Sequence, residues 1–179
     1  MSRGKSLMSF AINDCEAIVS VEHVDRGAAC GCFCPACGEA VVAKQGDRRM
    51  WHFAHMSGAD CATGVETALH KAAKQILLER RELMVPAMSV SASAVGPHSG
   101  RTYYAEARRP EAHQLFELVK LEQPTATIIP DAIGVNGDEK WIVEIAVTHS
   151  VNDEKKIMVE QLNFPAIEIA LNLDRPAQW

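Results

Sequence analysis

The stretch IIPDAIGVNGDEKWIVEIAVTHS, Ile128 to Ser150, decides the fold. Two runs rich in β-branched residues flank a short polar loop, NGDE, whose Asn and Gly suit a hairpin turn. Each run carries one acid in apolar company, Asp131 in IIPDAIGV and Glu144 in WIVEIAV. An unpaired charge in such a place is costly or forces a large pKa shift, so these acids are expected to be paired, hydrogen-bonded or bound to a cation. With NGDE as the loop, they lie on adjacent strands at similar distances from the turn, close enough to share one ion.

Working outward, VNDEKKIMVEQLNF reads as a helix and FPAIEIALN as a final buried strand. Upstream, TGVETALHKAAKQILLERREL places Val65, Leu69, Ala72, Ala73, Ile76 and Leu77 on one helical stripe, with Thr63 as its expected N-cap. A leading helix followed by strand, strand, helix and strand predicts an α/β or α+β core. Between these parts, VPAMSVSASAV and RTYYAEARR read as strands joined by Gly-Pro-His-Ser-Gly, while AHQLFELVKLE fits either strand or helix. On the long helix Glu66, His70 and Lys74 recur every four residues along one edge of the stripe. Singly they read as surface residues. With Asp131 and Glu144, Glu66 completes three carboxylates of the kind Mg²⁺ or Mn²⁺ prefers, leaving water positions open for a phosphate substrate.

The chain opens on AIVSVEHV, which alternates like a strand, and then enters CFCPACGEAVVAKQGDRRMWHFAH, Cys32 to His55. Cys34-Pro35-Ala36-Cys37-Gly38 has the form of a knuckle turn, and zinc favours thiolate and imidazole ligands drawn from two close pairs. The second pair comes from His52, His55 and Cys61, and spacing does not choose between them. If His52 to His55 is extended, its two imidazoles face opposite ways, so His55 is expected as a ligand with either His52 or Cys61. Four of Cys34, Cys37, His52, His55 and Cys61 are therefore expected to hold Zn²⁺. Two short strands turned at Gln45-Gly46-Asp47, with Gly46 at positive φ, make this a ribbon or knuckle. A closed four-ligand shell lacks the open position of a hydrolytic zinc, so a structural role is expected. Nucleobase deaminase chemistry is not expected, because the upstream histidine, His23, is followed at the second position by Asp25 rather than Glu.

Six cysteines, at 15, 30, 32, 34, 37 and 61, with no export signal, point to metal binding in a reducing cytoplasm rather than disulfides. No apolar run is long enough to cross a bilayer. The net charge of -5 argues against bulk attraction to nucleic acid but leaves room for a local basic patch. Residues 1–110 carry 13 Lys+Arg against 11 Asp+Glu, and residues 111–179 carry 5 against 12. Lys44, Arg48, Arg49, Lys71, Lys74, Arg80 and Arg81 sit on the knuckle hairpin and the long helix, where they can line a phosphate-facing surface.

The order Cys34-Pro-x-Cys37, His52-Phe-Ala-His55, Glu66-x-x-x-His70-x-x-x-Lys74, Pro130-Asp131 and Val143-Glu144-Ile145 is similar to the competence protein CoiA-like family. The resemblance implies a zinc-finger-like module over residues 1–62 and a restriction-endonuclease-like PD-(D/E)xK nuclease domain over residues 63–179. That domain would be a mixed-sheet core flanked by helices. The resemblance further implies Asp131, Glu144 and Glu66 as ligands of a catalytic Mg²⁺ or Mn²⁺, with His70 and Lys74 against the substrate phosphate. The implied reaction is phosphodiester hydrolysis, with single-stranded or duplex DNA as partner, and protein partners or a homo-oligomer as further expectations. One departure stands out: Ala146 occupies the position, two after the strand Glu, where the family pattern has lysine. Lys74, Lys155 or Lys156 would have to supply that charge. His149 faces away from Glu144 along an extended strand and can act only if the chain turns. Without a lysine the fold would serve as a DNA-binding or protein-interaction module.

Overall fold

The computed structural model describes residues 7–59 and 61–171. The first body is a five-stranded antiparallel sheet of β1 (Phe10–Ile12), β2 (Ile18–Ser20), β3 (Gly27–Phe33), β4 (Ala40–Lys44) and β5 (His52–His55), in the order β2-β1-β3-β4-β5. The opening strand is shorter than AIVSVEHV predicts. Ser20 accepts a hydrogen bond from the Glu22 N–H at 3.3 Å and turns Val21–His23 into a single 3-10 turn. β1, which the sequence reading missed, supplies the buried Phe10 and Ala11. The link between β4 and β5 is a loop over residues 45–51 rather than a tight turn, so Gly46 has no need of the positive φ expected of it and does not adopt one.

Next comes α1 (Gly64–Arg80), which closes in a left-handed cap at Arg81 whose N–H bonds the Leu77 carbonyl at 2.9 Å. Thr63 precedes it but makes no side-chain cap hydrogen bond, against expectation, because its backbone is already helical (φ -105°, ψ 0°). The buried face also differs from the predicted stripe: Gly64, Ala68, Ala72, Lys74 and Leu77 are buried, while Val65, Leu69, Ala73 and Ile76 are half-buried. Small residues are innermost because the helix lies against two bodies at once. Ala68 and Ala72 join the core beneath the first sheet, with Val41, Phe53 and Cys34, whereas Leu77 joins a second core with Leu83, Val85, Phe116, Val119 and Val143. Gln75 ties the helix to β2, its Oε1 accepting from the Ile18 N–H at 2.9 Å.

The remaining strands are β6 (Glu82–Val85), β7 (Met88–Val95), β8 (Thr102–Arg109), β9 (Ala112–Leu115), β10 (Leu118–Leu121), β11 (Ala132–Asn136) and β12 (Glu139–Ala146). Helix α2 (Asp153–Leu162) and strand β13 (Ala166–Ala170) complete the described chain. β10-β11-β12-β13 form a mixed sheet in which β12 and β13 are parallel, with α2 as the crossover between them. Asn152 caps α2 through Oδ1, which accepts from the Lys155 N–H at 2.8 Å. The predicted hairpin forms, but Asn136 pairs with Glu139, so only Gly137 and Asp138 make the turn. Gly137 carries the positive φ, 53°, that such a tight turn needs. β13 is not buried as predicted: it is the sheet's edge, and Ala166, Glu168 and Ala170 are exposed.

The ambiguous AHQLFELVKLE resolves into β9 and β10, broken at Phe116, whose ring enters the second core. β9 pairs with β6, and β7 pairs with β8 as a ribbon exposed along its whole length. The described chain as a whole is of mixed α/β architecture, and no helix among the described residues is long and apolar enough to cross a membrane.

Gly134 of β11 lies under the Phe116 ring, where a Cβ would sit 2.4 Å from Cε1 and 2.5 Å from Cδ1. Phe116 stands edge-on to Trp141 at 6.4 Å between centroids and cannot retreat without disturbing it. Gly134→Ala is therefore expected to destabilise the chain by about 1–3 kcal/mol, the usual cost of overpacking. Urea unfolding of the variant beside the wild type checks this, and equal midpoints would show that the ring yields freely.

Candidate functional site

Cys34, Cys37, His55 and Cys61 bring four ligand atoms within 4.8 Å of one another. A tetrahedron with zinc–sulfur bonds of about 2.3 Å has edges of roughly 3.8 Å, so the set fits a closed zinc shell. The turn works as its sequence suggests. Gly38 adopts φ 73° and donates to the Cys34 carbonyl at 2.9 Å, while the Ala36 and Cys37 N–H groups point at the Cys34 sulfur. β5 brings in His55, whose Nε2 lies 3.3 Å from Cys37 Sγ. The turn before α1 brings in Cys61. Gly64 opens α1 against these thiols, a Cβ there falling 3.4 Å from Cys34 Sγ.

His52, on the opposite face of β5, is outside the set; its Nδ1 lies 2.8 Å from the Met50 carbonyl. Of the three candidates for the second pair, His55 and Cys61, and not His52, lie with Cys34 and Cys37. Cys30 and Cys32 take no part. The Cys30 thiol donates to the Val41 carbonyl, and burial, then the Cys30 thiol beside it, pushes the Cys32 thiol up to about 12. Cys32 is therefore a protonated core residue.

The acids are arranged by strand register. Leu121 pairs with Ala132, Ala132 with Val143, and Glu144 with Glu168. One residue outward, the first two pairings set Glu122 beside Asp131 and Asp131 beside Glu144, and the Glu122 N–H donates to the Asp131 carbonyl at 3.2 Å. Glu122, Asp131, Glu144 and Glu168 thus form one row across all four strands. Sequence reading found the middle two. Glu168 lies in the apolar run AIEIA, the same signal that exposed Asp131 and Glu144, whereas Glu122, at the end of LVKLE, carried no comparable mark.

Cations from both helices meet this row. Lys74 Nζ lies 2.8 Å from Glu122 Oε1 and 2.9 Å from Asp131 Oδ1; His70 Nε2 lies 3.1 Å from Asp131 Oδ2. The Ile145 N–H donates to the same Oδ2 at 2.8 Å. From α2, Lys155 Nζ reaches Glu144 Oε2 at 2.8 Å and the Ile129 carbonyl at 3.2 Å. Lys156 turns instead to Asp153, 3.6 Å away. Glu66 accepts a hydrogen bond from the Thr148 hydroxyl, which also lies 2.8 Å from His149 Nδ1. The chain bends after β12, so His149 reaches the helix-acid side of the site rather than Glu144. Thr148 was not anticipated.

Glu66, His70 and Lys74 thus share the helix face turned toward β11 and β12. The three predicted acids do not form a tight metal cluster: among the described residues, only the Cys/His set gathers three or more such ligand atoms. Lys74 and Glu144 are the buried charged residues of the described chain, 8% and 6% exposed. Burial would lower the Lys74 ammonium pKa, but the Glu122 and Asp131 carboxylates outweigh it and raise it. Burial would raise Asp131, yet His70, Lys74 and the Ile145 N–H hold its carboxyl far below the usual range. Glu144 goes the other way, raised by burial against the pull of Lys155. Its second oxygen, Oε1, is buried without a hydrogen-bond partner.

Residues 19–64 match the family described as Competence protein CoiA, N-terminal domain, a segment that contains all four thiol and imidazole ligands. That segment is similar to the CoiA N-terminal domain, and the match ends where α1 begins. No curated protein and no solved structure matches it.

Two expectations follow from this geometry. Cys61→Ser and His55→Ala are expected to lose zinc while His52→Ala keeps about one ion per chain, as a four-ligand structural shell requires; metal content after desalting reads this directly, and zinc loss in His52→Ala alone would reverse the assignment. The second concerns Asp131. Its folded carboxyl titrates below the unfolded value of about 3.9, so its pairing stabilises fully above that value and is lost as pH falls below it. Asp131→Asn is expected to cost on the order of 2 kcal/mol at pH 7. In urea titrations the gap to wild type stays flat from pH 8 to 5 and narrows below about pH 4. A gap that widens in acid would contradict the assignment.

Proposed function

We propose that the chain is a metal-dependent nuclease of PD-(D/E)xK type, acting on DNA, with the Cys/His module as its structural zinc site. The observation that carries this reading is Glu144: buried, with one oxygen on Lys155 and the other unpartnered. An orphaned buried carboxylate oxygen is what a divalent cation would satisfy. Asp131 and Glu144 would hold that ion, with Glu66 the third acid, one helical turn before His70. The ion would supply polarisation of the phosphate and a lowered pKa for an attacking water.

The protein's own groups then have distinct tasks. Lys155 brings its ammonium to Glu144 from α2, supplying the charge that Ala146 cannot. His70 and Lys74 fix the Asp131 carboxylate through both oxygens, so its orientation is set before substrate arrives. Near a phosphodiester the Lys74 ammonium would offset the charge that builds on the phosphate. Both Lys74 and Lys155 reach the acids, whereas a degenerate binding module would have its lysines turned away. A cytoplasmic setting, with reduced thiols, belongs to the same proposal.

Purified protein with Mg²⁺ or Mn²⁺ is expected to cleave at least one of single-stranded, duplex or branched DNA. Asp131→Ala and Glu144→Ala should lower the rate by about 10³-fold or more, and Lys155→Met by about 10²-fold, the scale for removing one preorganised charge. Lys156→Met should leave it unchanged. Unaltered cleavage by both acid variants would remove the site from consideration.

A further inference from the structure

A second charged surface lies on the zinc-module sheet, away from the acids. The loop over residues 45–51 and its flanking strands enclose an open groove of about 830 Å³, lined by Arg26, Lys44, Arg48, Arg49, His52 and Asp47 among others. Four cations face one acid. None of Arg26, Lys44, Arg48 and Arg49 makes an ion pair among the described residues, whereas Lys74, Lys155, Lys156 and Arg108 all do. Gln45 anchors the loop by donating from Nε2 to the Val21 carbonyl at 2.6 Å and the Val24 carbonyl at 3.0 Å. The groove is therefore held by the fold and not by ligand. His52, released from the metal shell, lines it instead.

Adjoining the lining residues in sequence, though not lining the groove themselves, are two exposed large apolar groups. Met50 and Trp51 stand between Arg49 and His52, and Trp51 is 45% exposed. Four unpaired cations in a chain of net charge -5 are a local feature, not a bulk one. Cations that track a phosphate backbone, with an exposed aromatic on which an unpaired base can stack, are the two elements of single-strand binding. A duplex keeps its bases stacked inside and would leave the indole unused.

We propose that this groove binds a single-stranded polynucleotide, its phosphates on Arg26, Lys44, Arg48 and Arg49 and a base on Trp51. The proposal deepens the nuclease reading, since it names the substrate form and a site that holds it apart from the acids. DNA and RNA share the required chemistry, so both are probed.

The test uses the zinc-loaded full chain and fluorescence anisotropy of labelled oligo-dT, oligo-rU and a blunt DNA duplex, without Mg²⁺ or Mn²⁺. Binding is then read independently of cleavage. Single strands are expected to bind at least 10-fold tighter than duplex, and preference between oligo-dT and oligo-rU identifies the strand type. Arg48→Glu with Arg49→Glu should weaken binding by more than 10-fold while zinc content stays at wild-type level. Replacing the two arginines with glutamine should lower the slope of log affinity against log salt by about 1.4, at roughly 0.7 per lost phosphate contact. Trp51→Ala should weaken binding by about 10-fold and Trp51→Phe by less, the order expected of stacking. Lys156→Glu, on α2, should change nothing. Duplex binding as tight as single-strand binding, or undiminished binding by the charge-reversed or Trp51→Ala protein, overturns the proposal. Variant-sensitive binding by a chain that cleaves nothing would instead sink the nuclease reading alone.

Discussion

The structure depends on Lys74. A buried ammonium without a counter-charge would cost several kcal/mol, so wherever α1 settles it must bring acids to that position. Glu122 and Asp131 supply them from the ends of two neighbouring strands, each under 3 Å away. One side chain thereby fixes α1 against the mixed sheet in both position and rotation. His70, one turn earlier, is delivered to the same carboxylate, and Glu66 a turn before that to Thr148. Because Ala68 and Ala72 on another side of the helix close the core of the zinc-module sheet, the same fixation couples the two bodies. Gly64 extends the coupling to the thiols, since its missing side chain lets the helix begin in contact with Cys34 and Cys61.

The row of acids makes chemical sense only with its cations. Neighbouring carboxylates repel, and here Lys74, His70 and Lys155 are interleaved so that each buried acid has a partner of opposite sign or a donor. The environments of Asp131 and Glu144 nonetheless differ. Asp131, with three donors, is held firmly ionised; Glu144, deeper and with a single lysine, pays more for its charge. Two carboxyl groups pushed in opposite directions across one strand spacing are a pattern that hydrolytic sites use repeatedly. The Cys/His set is the contrary case. Its four side chains close on one another, so a metal held there would have four protein ligands and would brace the sheet and the start of α1.

Much of this was legible because burial makes charge conspicuous. Asp131 and Glu144 stood out as acids within β-branched runs, and the hairpin turn between them fixed their register. Glu66, His70 and Lys74 stood out through helical spacing, although nothing local distinguished a buried Lys74 from a surface one. The choice between His52 and Cys61 as the partner of His55 turned on which face of β5 meets the thiols, and only the pairing of β4 with β5 determines that. Lys155 was one of three lysines able to replace the missing charge at Ala146; the crossover geometry of α2 brings it to Glu144 and sends Lys156 outward, while Lys74 reaches Asp131 from α1. Glu122 and Thr148 enter through strand ends and a bend, where periodicity carries no information. β13 was read as buried from its apolar composition, but an edge strand with α2 as its crossover keeps Glu168 in the open.

On the nuclease reading proposed above, the carboxylate row, and not the Cys/His module, would receive the catalytic ion. Crystals of the zinc-loaded protein soaked in Mn²⁺ and measured at the manganese absorption edge test it most directly. The account predicts an anomalous peak between Asp131 and Glu144, within coordination distance of both carboxylates and of the Glu144 Oε1 now without a partner, with Lys155 shifted to admit it. A map at saturating Mn²⁺ with no peak there, and Lys155 still closed on Glu144, would contradict it.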